Sequence, residues 1–506
     1  MFEKKDNFYL YAVAIFSGIL LALPFVCSQL WWVVWFGLIP LLILIEKVST
    51  YKLIGRLSFI SGLTFFVISL YWLYYTSLAG LIIVVMYCAL YFVLFGLCLK
   101  YILNKKNPSV FLLIFITASI WVICELIRSY LFTGFGWNHL GYSQFQNLRL
   151  IQIANFSGVY GVSFLIVLVN SFLKDIILSF KELISYNKKV VFREIVLGFT
   201  CLFIILAVYA YGDIELNRDL SQKTIRVSVI QGNISQHKKW KAFYRDVNLK
   251  KYIRLSGRAS MDKPALIVWP ETSLPGYLEE YNLYKQVSDF INDINAPVLI
   301  GAPRFDSYND AYYNSAVLFS KKGKILNVYD KIHLVPFGEY IPLKGLLGFL
   351  YGYYEIANFS KGEIYTIFNL DNTNFGVLIC FEDVFESLVR TFVSRGADFM
   401  INITNDAWFY NSAEPRQHLS ASVFRAVENR ISFVRAANTG ISGFIDPYGR
   451  IISRVNKSGR QICVEGFATA DIPLVNHRSL YNRFGNVFVG LCFIFLLFVF
   501  CKPTRI

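Results

Sequence analysis

Three side chains with complementary chemistry follow three separate apolar, β-type runs of this 506-residue sequence. Glu271 follows Leu-Ile-Val-Trp-Pro, Lys331 follows Ile-Leu-Asn-Val-Tyr-Asp, and Cys380 follows Asn-Phe-Gly-Val-Leu-Ile. Side chains just beyond strand ends lie at the sheet edge where open α/β folds carry their chemistry. Singly, such a Glu often caps a helix, such a Lys is usually solvated and such a Cys usually packs in a core. Together, in this order, they predict an active site.

The cysteine is the candidate nucleophile because a helix-type sequence begins directly after it. Free N–H groups at a helix start should lower the pKa of the Cys380 thiol, and a neighbouring ammonium should lower it further. Cys463, the other cysteine of the polar segment 213–483, is expected to be a packing residue. No His and Cys residues have zinc-site spacing and no Gly-rich phosphate loop occurs, so the sequence predicts neither a metal nor a cofactor.

The polar segment must supply the strands that position these residues. Short Val-, Ile- and Phe-rich runs alternate with helical patterns, which indicates an α/β sandwich domain. The predicted strands are Ile225–Ile230, Leu266–Trp269, Val298–Ile300, Ser315–Phe319, Ile325–Tyr329, Phe375–Ile379, Phe399–Ile403 and Gly440–Ile445. Helices are predicted over 381–394 and 413–430, the second with its Arg and Glu residues on an outer face.

The rest of the chain has the composition of a membrane protein. Charged residues make up 16% of the sequence and hydrophobic residues 55%, which excludes disorder and an ordinary soluble protein with about 25% charged residues. Charge-free runs of the length that a bilayer requires predict about eight transmembrane helices, seven before the polar segment and one after it. The predicted domains are therefore a transmembrane domain, 1–212, an exported domain, 213–483, and a final helix with a short tail, 484–506.

The distribution of positive charge predicts the orientation of the spans. Of the net charge of +15, +10 lies outside the polar segment, so the basic character indicates topology and excludes a nucleic-acid partner. With the N-terminus in the cytoplasm, the cytoplasmic ends carry 15 Lys and Arg residues, and the short opposite connections carry only Arg149. Both termini are then cytoplasmic and the polar segment lies outside.

Several motifs give the chain a family resemblance. The sequence from Trp269 to Glu271, the run Lys-x-His-Leu-Val-Pro-Phe-Gly-Glu-Tyr from Lys331 and the triplet Cys-Phe-Glu from Cys380 resemble the nitrilase, or carbon–nitrogen hydrolase, superfamily. With the spans around them, the whole chain is similar to the apolipoprotein N-acyltransferase family. Other matching motifs are Glu125-Leu126-Ile127-Arg128, Gly134-Phe135-Gly136-Trp137, Gly141-Tyr142-Ser143-Gln144, Gln231-Gly232-Asn233, Thr404-Asn405-Asp406 and Arg435-Ala436-Ala437-Asn438. The chain departs from the family pattern at Phe381, where Tyr is common.

The resemblance implies an αββα sandwich in the periplasm of a bacterium, attached to its inner membrane. It implies an acyl chain transferred from a phospholipid to the α-amino group of a diacylglyceryl-apolipoprotein, without a cofactor and by a monomer. In that reaction Cys380 would form the thioester, Glu271 would be the general base and Lys331 would stabilise the oxyanion. The rival interpretations are a membrane-tethered amidase for small amides and a non-catalytic membrane scaffold.

Further residues would support this reaction. Glu339 and Glu382 would orient Lys331 or share a proton with Glu271, although Glu382 fits a salt-bridge role equally well. Trp240 and Phe381 would bind the acyl substrate.

Two other features have alternative interpretations. Segment 341–365 is an apolar arm that meets the bilayer, with Leu346, Leu347 and Phe349 as lipid contacts, or a packed insertion. The pair Glu125 and Arg128 is either self-neutralising or a polar patch that faces a lipid head group or the outer domain.

Overall fold

The computed structural model describes residues 6–106, 108–219, 223–340, 358–475 and 478–501. The chain divides into two compact units. The first contains Met1–Arg218 and Phe484–Ile506, and the second contains Asp219–Arg483. Each unit has its own set of secondary-structure elements, helical in the first and mixed in the second.

The first unit consists of apolar helices. Among the described residues, seven are long and apolar enough to cross a membrane: Asn7–Val26, Ser28–Lys47, Tyr51–Ser69, Leu78–Lys106, Val110–Tyr130, Ala154–Ile184 and Lys188–Leu216. They confirm the seven helices predicted before the polar segment. The eighth apolar helix, Val487–Cys501, stands where the sequence predicts it. Its 15 residues rise about 22 Å, which is less than a hydrocarbon core of about 30 Å.

The second of these helices is broken, and a buried amide repairs the break. It consists of a 3₁₀ turn, Ser28–Val33, followed by the short helices Val34–Gly37 and Ile39–Lys47. A break in an apolar span frees backbone groups that lipid cannot satisfy. Asn170 of the helix Ala154–Ile184 donates to the Val34 carbonyl at 3.0 Å and accepts from the Leu38 N–H at 2.9 Å, so both groups are paired inside the protein.

Glu125 and Arg128 are both buried and bind the loop that follows their helix. Glu125 accepts from the Leu140 N–H at 2.9 Å, and Arg128 donates to the carbonyls of Phe135 and Trp137. These bonds join two motifs of the membrane half, Glu125–Arg128 and Gly134–Trp137, to each other and to the residue before a third. The two charges therefore stabilise a loop with internal polar contacts, which satisfies groups that would be costly in an apolar surrounding.

The second unit contains twelve described strands, which we number in chain order. They are β1 Thr224–Gln231, β2 Leu266–Val268, β3 Val298–Asp306, β4 Ala311–Phe319, β5 Ile325–Asp330, β6 Ile367–Leu370, β7 Thr373–Ile379, β8 Phe399–Thr404, β9 Ser432–Ala437, β10 Gly443–Ile445, β11 Ile451–Arg454 and β12 Gly466–Pro473. All eight predicted strands are present. The sequence analysis did not identify β6, β9, β11 and β12, three of which pair antiparallel at or near a sheet edge.

The strands form two six-stranded sheets in a four-layer αββα sandwich. The strand orders are β12-β1-β2-β3-β4-β5 and β11-β10-β9-β8-β7-β6, with β1 packed on β9 and β4 on β7. In each sheet three central strands are parallel, and the outer strands are antiparallel. The described helices of this unit that exceed eight residues are Arg245–Ala259, Tyr281–Ile294, Glu386–Ser394 and Glu414–Asn429.

The prediction that the Arg and Glu residues of the second predicted helix lie on an outer face is wrong. Arg425 and Glu428 in the helix Glu414–Asn429 are fully buried and pair with each other at 2.9 Å, and Arg425 also lies 3.6 Å from Glu386. Charged residues at helical spacing look the same in a sequence whether water or a buried partner neutralises them. Here planar guanidinium-to-carboxylate contacts replace the water.

Candidate active site

Glu271 emerges just beyond the end of β2, in a tight loop against β3. Gly301 on β3 allows this approach, because a Cβ there would lie 2.3 Å from the Pro270 carbonyl oxygen and 2.7 Å from the Glu271 Cα. Thr272 adopts a positive φ of 45°, which turns the chain away directly after the carboxylate. Glu271 is 7% exposed, so its side chain lies in a largely water-free surrounding.

A buried asparagine on β4 joins the two carboxylates of the site. Asn314 donates from Nδ2 to Oε1 of Glu271 at 2.8 Å and to Oε1 of Glu339 at 2.9 Å. Its main-chain oxygen accepts from the Lys331 N–H at 2.9 Å, just past the end of β5. Asn314 therefore sets the positions of both acids and the main chain of the lysine. The sequence analysis missed it, although an amide inside an apolar strand is the signal that could have indicated it.

Lys331 lies between the two acids and is 1% exposed. Its Nζ is 2.9 Å from Glu339 Oε2 and 3.9 Å from Glu271 Oε1. Burial alone would lower the pKa of the ammonium, but the charges of Glu339, Cys380 and Glu271 outweigh it and raise the pKa well above its ordinary value. The residue is therefore a permanent cation close to the candidate nucleophile, as oxyanion stabilisation would require.

The main chain at Cys380 is held in a left-handed conformation that L-residues rarely adopt. Cys380 has a φ of +57° directly after β7. Its carbonyl accepts from Asn402 Nδ2 on β8 at 2.7 Å and lies 3.3 Å from His418 Nε2. A strained backbone persists only where its surroundings hold it, and these two side chains supply that restraint.

The expectation of a lowered thiol pKa is contradicted. Desolvation, followed by the negative charge of Glu271, raises the pKa of Cys380 to about 12, and the opposing charges of Lys331 and His418 are too weak to reverse this. The cysteine begins a 3₁₀ turn, Cys380–Val384, rather than a long helix. The resting thiol of Cys380 is therefore protonated and, as a nucleophile, would require a base.

Glu382 follows Cys380 by two residues and is fully buried. It accepts from the main-chain N–H groups of Ile332, His333 and Ile379, each at 2.8 Å, and from the Tyr329 hydroxyl at 3.0 Å. Burial raises the pKa of this carboxyl to about 7, against the opposing charge of Lys331. Its contacts connect the chain after Lys331 to the chain before Cys380, which places two reactive residues from different sheets at one location.

Behind Cys380, three buried acids surround His418. The imidazole lies 2.9 Å from Asp383, 3.4 Å from Asp406 and 3.4 Å from Glu414. Burial would lower its pKa, but Asp383 and Asp406 raise it well above its ordinary value. Ligand atoms of Asp406, Glu414 and His418 lie within 4.8 Å of one another, a spacing that fits a metal ion. An imidazolium has no lone pair for a metal, and Arg435 already lies 2.9 Å from Asp383, so these two cations balance two of the three acids. Burial, followed by the negative charge of Asp406, raises the pKa of Glu414 to about 7.

The predicted acyl-binding residues Phe381 and Trp240 lie in different surroundings. The Phe381 ring lies 5.6 Å from His333 and 4.9 Å from Phe385 between ring centroids, and Trp240 is 52% exposed. Cys463 is exposed, so its expected packing role is wrong.

The predicted lipid contacts Leu346, Leu347 and Phe349 lie outside the described residues. The chain returns to the site after them, because the Phe359 N–H donates to the Glu339 carbonyl at 3.0 Å and the Gly362 N–H donates to the Lys331 carbonyl at 2.8 Å.

Solved structures and curated relatives resemble this chain over different lengths. The nitrilase-superfamily protein Nit3 of Saccharomyces cerevisiae has a TM-score of 0.38 and 20% identity, over 51% of this chain and 92% of its own. A mutant of the Nesterenkonia AN1 amidase, from the same superfamily, has a TM-score of 0.40 and 18% identity, over 54% of this chain and 98% of its own. The apolipoprotein N-acyltransferase of Geobacter metallireducens is 36% identical over 95% of this chain and 93% of its own length. That of Pasteurella multocida is 29% identical over 98% and 96%.

Two family models match complementary parts of the chain. Residues 17–172 match the apolipoprotein N-acyltransferase N-terminal domain, and residues 226–480 match the carbon–nitrogen hydrolase model. The first match lies in the unit of apolar helices, and the second covers all twelve strands but the first two residues of β1. With a relative that is 36% identical over nearly the whole length, the chain belongs to the apolipoprotein N-acyltransferase family.

Proposed function

We propose that this protein transfers an acyl chain from a phospholipid to the α-amino group of a diacylglyceryl-cysteine at the N-terminus of an apolipoprotein. The reaction proceeds through a thioester on Cys380, with no cofactor. The single observation that supports it best is the arrangement of the buried Glu271 and Lys331 with the half-buried Cys380. It unites a base, a fixed cation and a thiol that needs deprotonation. The family to which the chain belongs supplies the substrate class.

In the first half-reaction, Glu271 takes the Sγ proton as the sulfur attacks the ester carbonyl of the lipid. The negative charge moves from the Glu271 carboxylate to the carbonyl oxygen, where the Lys331 ammonium stabilises it. When the tetrahedral intermediate collapses, the ester C–O bond breaks. The leaving alkoxide takes the proton back from Glu271 and departs as a lysophospholipid.

In the second half-reaction, the α-amino group of the acceptor attacks the thioester carbonyl. Glu271 takes a proton from the attacking nitrogen, and Lys331 again stabilises the oxyanion. The C–S bond breaks, the amide forms and the proton on Glu271 returns to the Cys380 sulfur. The site is thereby restored with a neutral thiol, in keeping with its raised pKa.

The topology extends the proposal. The seven long apolar helices and the family make this a multi-pass protein of the bacterial inner membrane. We infer from the asymmetry of Lys and Arg that the catalytic unit faces the periplasm, with both termini in the cytoplasm. From the family resemblance we propose in addition that the protein is a monomer. The described residues on both sides of 341–357 contact the site, through Glu339 before it and Phe359 and Gly362 after it. We therefore also propose that Leu346, Leu347 and Phe349 contact the acyl donor.

Mass spectrometry of Cys380 after incubation with phospholipid vesicles tests the reaction. We expect an adduct of acyl-chain mass on the wild type, its disappearance when a diacylglyceryl-cysteine peptide is added, and no adduct on Cys380→Ala. Turnover of small amides without an acyl adduct would favour an amidase. Neither activity in a folded protein would favour a scaffold, and both outcomes would contradict the proposal.

A further inference from the structure

Two consecutive lysines follow the first strand of the catalytic unit, and they differ in their surroundings. Lys238 is exposed, with its ammonium 5.3 Å from the centre of the Tyr244 ring. Lys239 ends the short helix Gln236–Lys239 and is 4% exposed. Its Nζ donates to the main-chain carbonyl of Glu271 at 3.1 Å. One lysine is thus solvated, and the next reaches the residue proposed as the general base.

Burying an ammonium against a neutral carbonyl is costly, because desolvation disfavours the charge. Desolvation lowers the pKa of Lys239 to about 8, and the negative charge of Glu271 offsets only part of this effect. No salt bridge of Lys239 is found among the residues that the structure describes. Glu271, beyond β2, and Cys380, beyond β7, are the ionisable groups close enough to interact with it electrostatically. A role in packing alone does not account for an ammonium group in such a place.

A network of asparagines holds the segment that carries Lys239. Asn438 accepts from the Ile234 N–H at 2.9 Å and donates to the Ile234 carbonyl at 2.7 Å. It also donates to Asn405, which in turn donates to Gln236 in the helix of Lys239, each at 2.9 Å. Two sequence motifs with no role in the proton and acyl transfers, Thr404-Asn405-Asp406 and Arg435-Ala436-Ala437-Asn438, therefore converge on this helix. Such a buried, paired network specifies one position for the helix.

We propose that Lys239 is a positioning residue of the active site: it fixes the main chain of Glu271 and provides a second positive charge for the thiolate that forms at Cys380. This rests on the proposed function. When the Sγ proton moves to Glu271, one negative charge moves from the carboxylate to the sulfur. Lys239 and Lys331 stabilise that charge before it passes to the substrate carbonyl.

Replacement of each lysine by methionine tests the inference, because methionine keeps an unbranched apolar side chain and removes the charge. Alkylation of Cys380 by iodoacetamide is followed from pH 6 to pH 10 by mass spectrometry of the Cys380 peptide, which excludes signal from the exposed Cys463. This readout requires no lipid, so it is independent of whether acyl transfer occurs. The kcat and KM of acyl transfer are measured in parallel, and thermal unfolding checks the fold.

Below pH 8 we expect Lys239→Met to alkylate Cys380 about 10-fold more slowly than the wild type, since one pKa unit changes the thiolate fraction about tenfold. The ratio of the two rates should approach one above pH 8, where the wild-type Lys239 loses its proton. The kcat should fall at least about 10-fold, with little change in KM, and Lys238→Met should match the wild type.

A rate ratio that does not change with pH, or a wild-type kcat in Lys239→Met, would overturn the inference. If that variant does not fold, Lys239→Gln, which keeps a polar end, is subjected to the same test. If the ratio of the two alkylation rates changes with pH as expected but the wild type transfers no acyl chain, the role of Lys239 stands and the proposed function is rejected.

Discussion

Lys331 and Glu339 form a close ion pair in the active site, with Nζ 3.0 Å from one carboxylate oxygen and 2.9 Å from the other. Glu339 also accepts from the Val335 N–H at 2.8 Å, so the acid is fixed by the loop that follows the lysine. The pair keeps Lys331 charged in a place where burial alone would lower its pKa. Glu271 is farther from the ammonium, at 3.9 Å.

Glu339→Gln should therefore impair both stability and catalysis. Removing one partner of a buried ion pair costs about 3–5 kcal/mol. A displaced oxyanion donor lowers the rate by about 10²–10³-fold. Thermal unfolding and the rate of acyl adduct formation on Cys380 measure the two effects, and the exposed Glu363→Gln is the matched control. Wild-type rates in Glu339→Gln would contradict the role given to this acid.

Asn314→Asp should inactivate the enzyme although it changes one atom of the side chain. The new carboxylate would replace the amide that donates to Glu271 and Glu339, and three acids would share one site. Carboxylates this close to one another raise each other's pKa, so one of the three acids would become protonated. We expect acyl adduct formation to fall about 10²-fold or more. The exposed Asn327→Asp on β5 should retain the wild-type rate.

Glu382→Gln should destabilise the site through its main chain. The carboxylate accepts from four donors, and the NH₂ group of a glutamine would oppose at least one of them. A buried donor without an acceptor costs about 1–3 kcal/mol. Tyr329→Phe removes one of these bonds and should cost less, about 1 kcal/mol. Chemical denaturation measures both variants, and an equal loss in the two would show that Glu382 does not organise the backbone.

Glu271→Gln should make Cys380 easier to alkylate while abolishing acyl transfer. The negative charge of Glu271 helps to raise the thiol pKa from 9.0 to about 12, so its removal shifts alkylation to lower pH. Because the folded thiol holds its proton more tightly than the unfolded one, wild-type stability falls as the pH rises from about 9 to about 12. The variant should lose less stability over that range. A shift of the alkylation profile of Glu271→Gln to higher pH would contradict this prediction.

Replacing Leu346, Leu347 and Phe349 together with Ser should impair acyl transfer from membrane phospholipid more than from a short, water-soluble ester. A lipid chain that crosses water costs about 0.8 kcal/mol for each exposed CH₂ group. Both substrates need Cys380, so the comparison controls for damage to the site, and the exposed Leu326→Ser is a further control. Equal loss on both substrates would indicate that this segment only supports the site.

The amino-acid sequence by itself determined the spans, the strands that carry Glu271, Lys331 and Cys380, and the family. These features depend on local hydrophobicity and on residue order, which can be read directly from the chain. Chemical roles follow from side-chain type, so a carboxylate, an ammonium and a thiol at strand ends already indicate acyl transfer chemistry.

The tertiary structure decided what surrounds those groups. Asn314 contacts Glu271 across 43 positions of the sequence, and Glu382 contacts Ile332 across 50. The protonated state of the Cys380 thiol and the burial of Lys239 beside the exposed Lys238 depend on the same long-range packing. Desolvation and the Coulomb interaction act through space, so groups far apart in the sequence set the charge of each active-site residue.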